Sequence, residues 1–170
     1  PMNRWTYEPS SSLKMSPSQS HKFLAGFLVL VIAFLLWSRF GYLFNFKPDF
    51  VFASLIALSF FLGLLELLFL ILLSVFLMNW QPILGVEMMI FSVVPIGIFL
   101  FRKIIFPLEG WLSNLVGIVL GLIVFYGLTD LSLALAHYGT ILKDIFISAL
   151  FGFLIFGLFD YFYGEEAASQ

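Results

Sequence analysis

The chain has 170 residues, of which 62% are hydrophobic and only 11% are charged, and its mean hydropathy is +1.08. Soluble domains carry about 25% charged residues, so this composition excludes a water-soluble enzyme and favours an integral membrane protein. The net charge of −2 provides no basic surface for nucleic acid, and the absence of cysteine excludes disulfides and thiolate metal sites.

The N-terminal segment is polar. Residues 1–20 carry a serine run, prolines and scattered charges, and we expect a flexible cytoplasmic tail there. Pro1 precedes Met2, which we interpret as the natural first residue, with Pro1 left by tag cleavage. The first apolar segment covers residues 23–37, and no small-x-small cleavage site follows it. We therefore predict an uncleaved first span rather than a signal peptide.

The second apolar stretch, residues 50–78, would be about 43 Å long as one helix, against about 30 Å of hydrocarbon. We expect two short helices joined by a tight turn near residues 63–66, and one steeply tilted helix is the alternative. Pro48 suits the first turn of a helix, where its missing N–H costs nothing. Asp49 would lie near the positive end of the helix dipole, and Glu66 would reach a membrane interface.

Three more spans follow a polar break at residues 79–82. They are predicted at residues 86–101, with a kink at Pro95, at residues 111–128 and at residues 145–162. Residues 131–142 are moderately apolar and indicate a helical extension or a loop.

These segments define the predicted fold class. We expect an all-α integral membrane protein with six transmembrane helices in a compact bundle, or five if residues 50–78 form one helix. The membrane domain covers residues 21–163, and residues 164–170 form a short acidic tail.

The basic residues indicate the orientation. With six spans, the side of the N-terminus holds five Lys and Arg residues and the opposite side holds three. The five are Arg4, Lys14, Lys22, Arg102 and Lys103, and the three are Arg39, Lys47 and Lys143. Because basic residues concentrate on the cytoplasmic side, this distribution favours both termini inside.

Ionisable groups within apolar segments are the first candidates for function, because they are costly in a membrane. Glu66, Glu87 and Asp130 could contribute to a polar cavity or a partner contact. The simpler interpretation is an acid at the interface, and Glu87 would then also be favoured by the helix dipole. Asp130 and His137 lie two helical turns apart and could form a proton relay, although nothing else in the sequence supports one.

Small residues recur at every fourth position in the fifth span. Ser113, Gly117 and Gly121 form this stripe, and Ser148 and Gly152 repeat the pattern in the last span. Such stripes let helix backbones approach closely. Packing within the bundle and docking of another chain are the two alternatives.

The sequence contains no phosphate-binding loop, nucleophile elbow or zinc motif. We therefore predict no catalytic residues, no metal site and no cofactor.

The order of these features resembles a known family. The segment Phe46-Lys47-Pro48-Asp49-Phe50 begins the second span, and a polar break ending in Leu84-Gly85 precedes the fourth. In both features the chain resembles the rod shape-determining protein MreD family, over roughly residues 23–162.

The resemblance implies a non-enzymatic scaffold of the bacterial cell-elongation machinery in the cytoplasmic (inner) membrane. Its implied partners are membrane lipid, a single-span MreC-like protein, and through it MreB filaments and the RodA and penicillin-binding-protein synthase. The implied fold is similar to the substrate-binding S component of energy-coupling-factor transporters. A small-molecule carrier of that kind is therefore the main alternative, and it would need a polar, aromatic-lined pocket between helices. A small intramembrane enzyme would need a convergent polar group that the sequence does not offer.

Overall fold

A computed structural model describes residues 17–43, 48–78, 85–105, 110–129 and 131–167, and all regular secondary structure in these ranges is helical. The helices are α1 Pro17–Leu43, α2 Phe50–Leu58, α3 Leu64–Met78, α4 Val86–Ile105, α5 Gly110–Thr129, α6 Leu131–Ala136 and α7 Tyr138–Ala167. The prediction of an all-α chain is therefore confirmed.

Three of these helices are long and apolar enough to cross a membrane. The candidate spans are Gln19–Arg39 in α1, Gly110–Thr129 in α5 and Tyr138–Tyr163 in α7, whereas the apolar helix Leu64–Met78 is shorter. Large apolar side chains also cover the outside of the helices, as Phe76 of α3 and Phe146 of α7 show at 77% and 70% exposure. Soluble proteins rarely expose so much contiguous apolar surface, so the hydrocarbon core of a lipid bilayer is the environment that fits this chain.

Helix α2 forms the centre of the bundle. Every residue from Phe50 to Leu58 is buried, as expected of a helix that is apolar on all sides. It packs against α1, α3, α4, α5 and α7, and the ring of Phe52 contacts those of Phe91 and Phe125 at 5.4 and 5.1 Å between centroids. At nine residues it is only about 14 Å long, against about 30 Å of hydrocarbon, so a crossing at this point would also need the residues that flank α2.

Residues 50–78 form two helices, as predicted, but the break comes earlier than expected. Helix α2 ends at Leu58, and residues 59–63 make the turn to α3. The turn is tight because the Phe61 and Leu62 backbone N–H groups both donate to the carbonyl of Leu58, at 3.0 Å each. The apolar run hid this break because the turn residues are themselves mostly apolar.

Several predicted boundaries were wrong. Helix α2 begins at Phe50, so Pro48 precedes the helix instead of occupying its first turn. Helix α7 begins at Tyr138 and not at residue 145; residues 131–142, predicted as a helical extension or a loop, are helical and belong to α6 and the start of α7. Helix α1 begins at Pro17, inside the predicted tail, and α7 continues to Ala167, inside the predicted acidic tail.

Candidate functional site

A polar cluster lies where α2 begins. The Phe50 backbone N–H donates to the Pro48 carbonyl at 2.9 Å, and the Ala53 N–H donates to the Asp49 carbonyl at 2.9 Å, which starts the helix. The Asp49 carboxylate makes no capping hydrogen bond to the helix. Its Oδ2 instead accepts a hydrogen bond of 2.6 Å from the hydroxyl of Tyr126 on α5, across 77 residues of sequence. This contact fixes the start of α2 to the end of α5.

A second carboxyl group belongs to the same cluster. Asp144 lies in the first half of α7, is 8% exposed, and is close enough to Asp49 and Tyr126 to interact electrostatically with both. Its Oδ1 is buried and has no hydrogen-bond partner among the described residues. One turn further along α7, the Oγ of Ser148 is fully buried and equally unpartnered. Buried polar atoms are nearly always hydrogen-bonded, so these two exceptions need an explanation.

We call Asp49, Tyr126, Asp144 and Ser148 the acidic cluster. Its polar side-chain atoms are all oxygens, which suits binding of a cation or of a hydrogen-bonding ligand. No three His, Cys, Asp or Glu side chains within the described ranges come together in the manner of a metal site.

The other end of α2 carries the opposite charge. The Arg102 guanidinium, on α4, donates to the Ser59 carbonyl just past the end of α2. A cation at a helix C-terminus and an anion at its N-terminus both complement the helix dipole, so Arg102 and Asp49 stabilise α2 from its two ends. Near this region Asn114 of α5 is completely buried, and neither amide atom has a partner in the part of the chain that is described.

Glu66 is neither at an exposed interface nor in a polar cavity. It is only 7% exposed, and its Oε2 accepts a hydrogen bond of 2.8 Å from the backbone N–H of Gly63. The carboxylate thus satisfies a backbone donor in front of α3, as the acid of a capping box does. This hydrogen bond gives the position of Glu66, in the first turn of α3, a structural reason.

Of the remaining candidates, Glu87 and Gly85 lie at the start of α4 and outside the acidic cluster. Glu87 is exposed in the first turn of α4, as expected of an acid near a helix N-terminus. Gly85 caps α4, because its carbonyl accepts from the N–H of Met88 at 3.1 Å. Leu84 and Asp130 lie outside the described residues, and so does the predicted polar break.

The small-residue stripe of α5 faces the interior. Ser113, Gly117 and Gly121 are all buried. A Cβ on Gly121 would lie 2.6 Å from the Cδ1 of Ile56 and 3.0 Å from the Cδ1 of Ile98. The stripe therefore packs α5 against α2 and α4, and it does not form a docking surface for another chain.

An apolar groove runs along the outside of the bundle between α5 and α7. Its volume is about 550 Å³. The lining residues are all apolar or aromatic, and they are Trp111, Leu115, Val119, Leu142, Ile145, Phe146, Ala149, Leu150 and Phe153. Both helices that flank the groove are candidate membrane spans.

Sequence reasoning missed three members of the acidic cluster. Tyr126 and Asp144 were not singled out in the sequence, and Ser148 was considered only as a small packing residue. A signal was present, because Asp144, Ser148 and Gly152 follow each other at four-residue spacing and must share one face of α7. An acid on the same face as two small residues indicates that it points inward.

These features define an all-helical membrane protein with a buried polar cluster at one end of a short central helix. No family model, no curated protein and no solved structure matches the chain.

Proposed function

We propose that the chain is a non-enzymatic membrane scaffold of the MreD type, which binds a single-span MreC-like partner of the bacterial cell-elongation machinery. The observation that carries the proposal is the closely packed interior. Gly117, Gly121 and Gly152 bring α2, α4, α5 and α7 into direct contact, with side chains from the neighbouring helices against each glycine. A scaffold needs only an outer surface, whereas a carrier needs room for a small molecule between these helices.

The groove between α5 and α7 is the surface that we assign to the partner helix. From Leu142 to Phe153 it extends about 17 Å along α7, which is roughly three helical turns. Ala149 lies at its floor and is 6% exposed, so a ridge of apolar side chains could enter there. Helices associate in lipid mainly by close packing, and a continuous groove lined by apolar and aromatic side chains fits an apolar partner helix.

Co-purification with a single-span MreC-like partner in mild detergent tests this assignment. Phe146 contributes to the groove and is 70% exposed, so Phe146→Ala removes contact surface without opening the core. We expect about a tenfold loss of partner affinity, the size of one good interface contact. The matched control is Phe76→Ala on α3, which removes an equally exposed ring away from the groove.

Three results would count against the proposal. Equal losses of partner affinity in Phe146→Ala and Phe76→Ala would show that the groove is not the docking surface. If a lipid acyl chain stayed in the groove and the partner helix did not displace it, the groove would be a lipid-binding site. Failure of the unmodified protein to retain a single-span partner would favour the energy-coupling-factor carrier subunit, which should instead co-purify with a pair of ATPases.

We further propose six crossings with both termini in the cytoplasm of the inner membrane. The Nζ of Lys22, near the start of α1, lies 5.7 Å from the centroid of the Tyr163 ring near the end of α7, and this proximity supports an even number of crossings. Cysteines introduced at Ser12 and Ser169 should both resist a membrane-impermeant thiol reagent in intact cells. Labelling of position 169 alone would require an odd number of crossings.

A further inference from the structure

The acidic cluster brings two carboxyl groups close together inside the bundle. Asp49 receives one hydrogen bond from Tyr126, and the Asp144 carboxyl lies close enough to repel it. Neither carboxylate interacts with a Lys or Arg of the described segments. Two acids that share a low-dielectric site are costly unless a positive charge compensates them, and the described residues supply none.

Ser148 gives an independent indication. Four other buried or half-buried helical hydroxyls donate to the backbone carbonyl four residues earlier, at 2.6 to 2.8 Å; these residues are Ser54, Ser74, Ser92 and Thr129. Ser148 does not use this local acceptor, and its Oγ has no hydrogen-bond partner among the described residues although Ser148 is completely buried. Side chains on a helix lean towards its N-terminus, so the Ser148 hydroxyl lies over the turn that carries Asp144.

We propose that the acidic cluster binds a hard metal cation, with the carboxylates of Asp49 and Asp144 and the hydroxyl oxygens of Tyr126 and Ser148 as its ligands. Carboxylate and hydroxyl oxygens are the donors that Na⁺, Ca²⁺ and Mg²⁺ prefer, and the cluster offers no soft donor. The bound cation supplies the missing positive charge, and it gives the free Oδ1 of Asp144 and the Oγ of Ser148 a partner.

The position of the site explains what such a cation would do. Asp49 precedes α2, Tyr126 belongs to α5, and Asp144 and Ser148 belong to α7. A cation bound to all four residues therefore ties three helices together at one end of the bundle. The partial positive charge at the start of α2 opposes the cation, but it amounts to about half an elementary charge against two carboxylates.

Thermal unfolding of the full chain in detergent tests the proposal with the metal ions alone. The protein is compared in choline chloride and, at the same ionic strength, in NaCl, CaCl₂ and MgCl₂. Because a ligand that binds only the folded state stabilises it, at least one metal ion should raise the Tm above that in choline chloride, with a saturating concentration dependence. Identical Tm values in all four salts would overturn the proposal.

Variants locate the effect. Asp144→Asn keeps the shape of the side chain and should weaken the response at least tenfold in ion concentration, while Glu87→Gln, an exposed acid of α4, should leave it unchanged. Ser148→Ala removes one neutral ligand, so it should weaken the Tm response to the ion less than Asp144→Asn does. If Asp144→Asn does not fold, Ser148→Ala takes its place in the test. A response that persists unchanged in Asp144→Asn or in Ser148→Ala would place the ion elsewhere and overturn the assignment.

Discussion

Replacing Gly152 by alanine tests the close packing at the centre of the bundle. The added Cβ would lie 2.5 Å from the Cδ1 of Ile118, and 3.2 Å and 3.3 Å from the carbonyl oxygen and Cβ of Ala53. Ile118 is completely buried, and the Ala53 carbonyl belongs to α2, so neither neighbour can move freely. Overpacking costs about 1–3 kcal/mol, and the better helix propensity of alanine returns about 1 kcal/mol. We expect a net loss of about 1 to 2 kcal/mol in the free energy of unfolding.

Denaturant titration in mixed micelles, followed by circular dichroism, measures this loss. Gly157→Ala is the matched control, because Gly157 lies in the same helix and a Cβ there would have no atom within 4 Å. The free energy of unfolding of the control should be unchanged or higher by up to about 1 kcal/mol, because only the better helix propensity of alanine acts there. If Gly152→Ala were as stable as Gly157→Ala, then α2 and α7 would not be in direct contact at this position, and the argument from a closed interior would fail.

Three other substitutions test contacts of single side chains. Tyr126→Phe removes the hydroxyl that donates to Asp49 and should cost about 1.5–3 kcal/mol, as expected for a hydrogen bond to a charged group, whereas Tyr161→Phe at an 84% exposed position should cost nothing measurable in the same titration. Glu66→Ala leaves the Gly63 N–H unpaired and should cost about 1 kcal/mol; an equal loss in Glu87→Ala would show that only the helix dipole matters. Gly121→Leu should lower the stability of the isolated protein, because the stripe faces Ile56; a stable variant that loses only its partner would place the stripe outside.

The sequence predicted the approximate positions of several helices well, because these positions depend on apolar length. The span at residues 111–128 matches α5 within one residue at each end, and the start of α4 at Val86 was correct. The division of residues 50–78 followed from comparing helix length with bilayer thickness. These predictions needed only local composition, and they succeeded for that reason.

The acidic cluster could not be predicted in the same way, because it depends on which faces of distant helices meet. The Asp49 carboxylate was expected to favour the start of α2 through the helix dipole, and its partner Tyr126 lies three helices away. The stripe at Gly117 and Gly121 showed which face is small but not which way it points. Apolar residues cover both the interior and the lipid-facing side of these helices, so hydropathy does not separate the two faces.

The enclosed position of α2 has a consequence for how the protein is made. Helix α2 is synthesised early. Helix α7, which packs extensively against α2 and places Gly152 on Ala53, is synthesised five helices later. Until then the side of α2 that will contact α7 must be covered by lipid or by the insertion machinery. The core therefore closes in a late step, and a ribosome-bound chain that ends before α7 should be degraded faster than one that includes it.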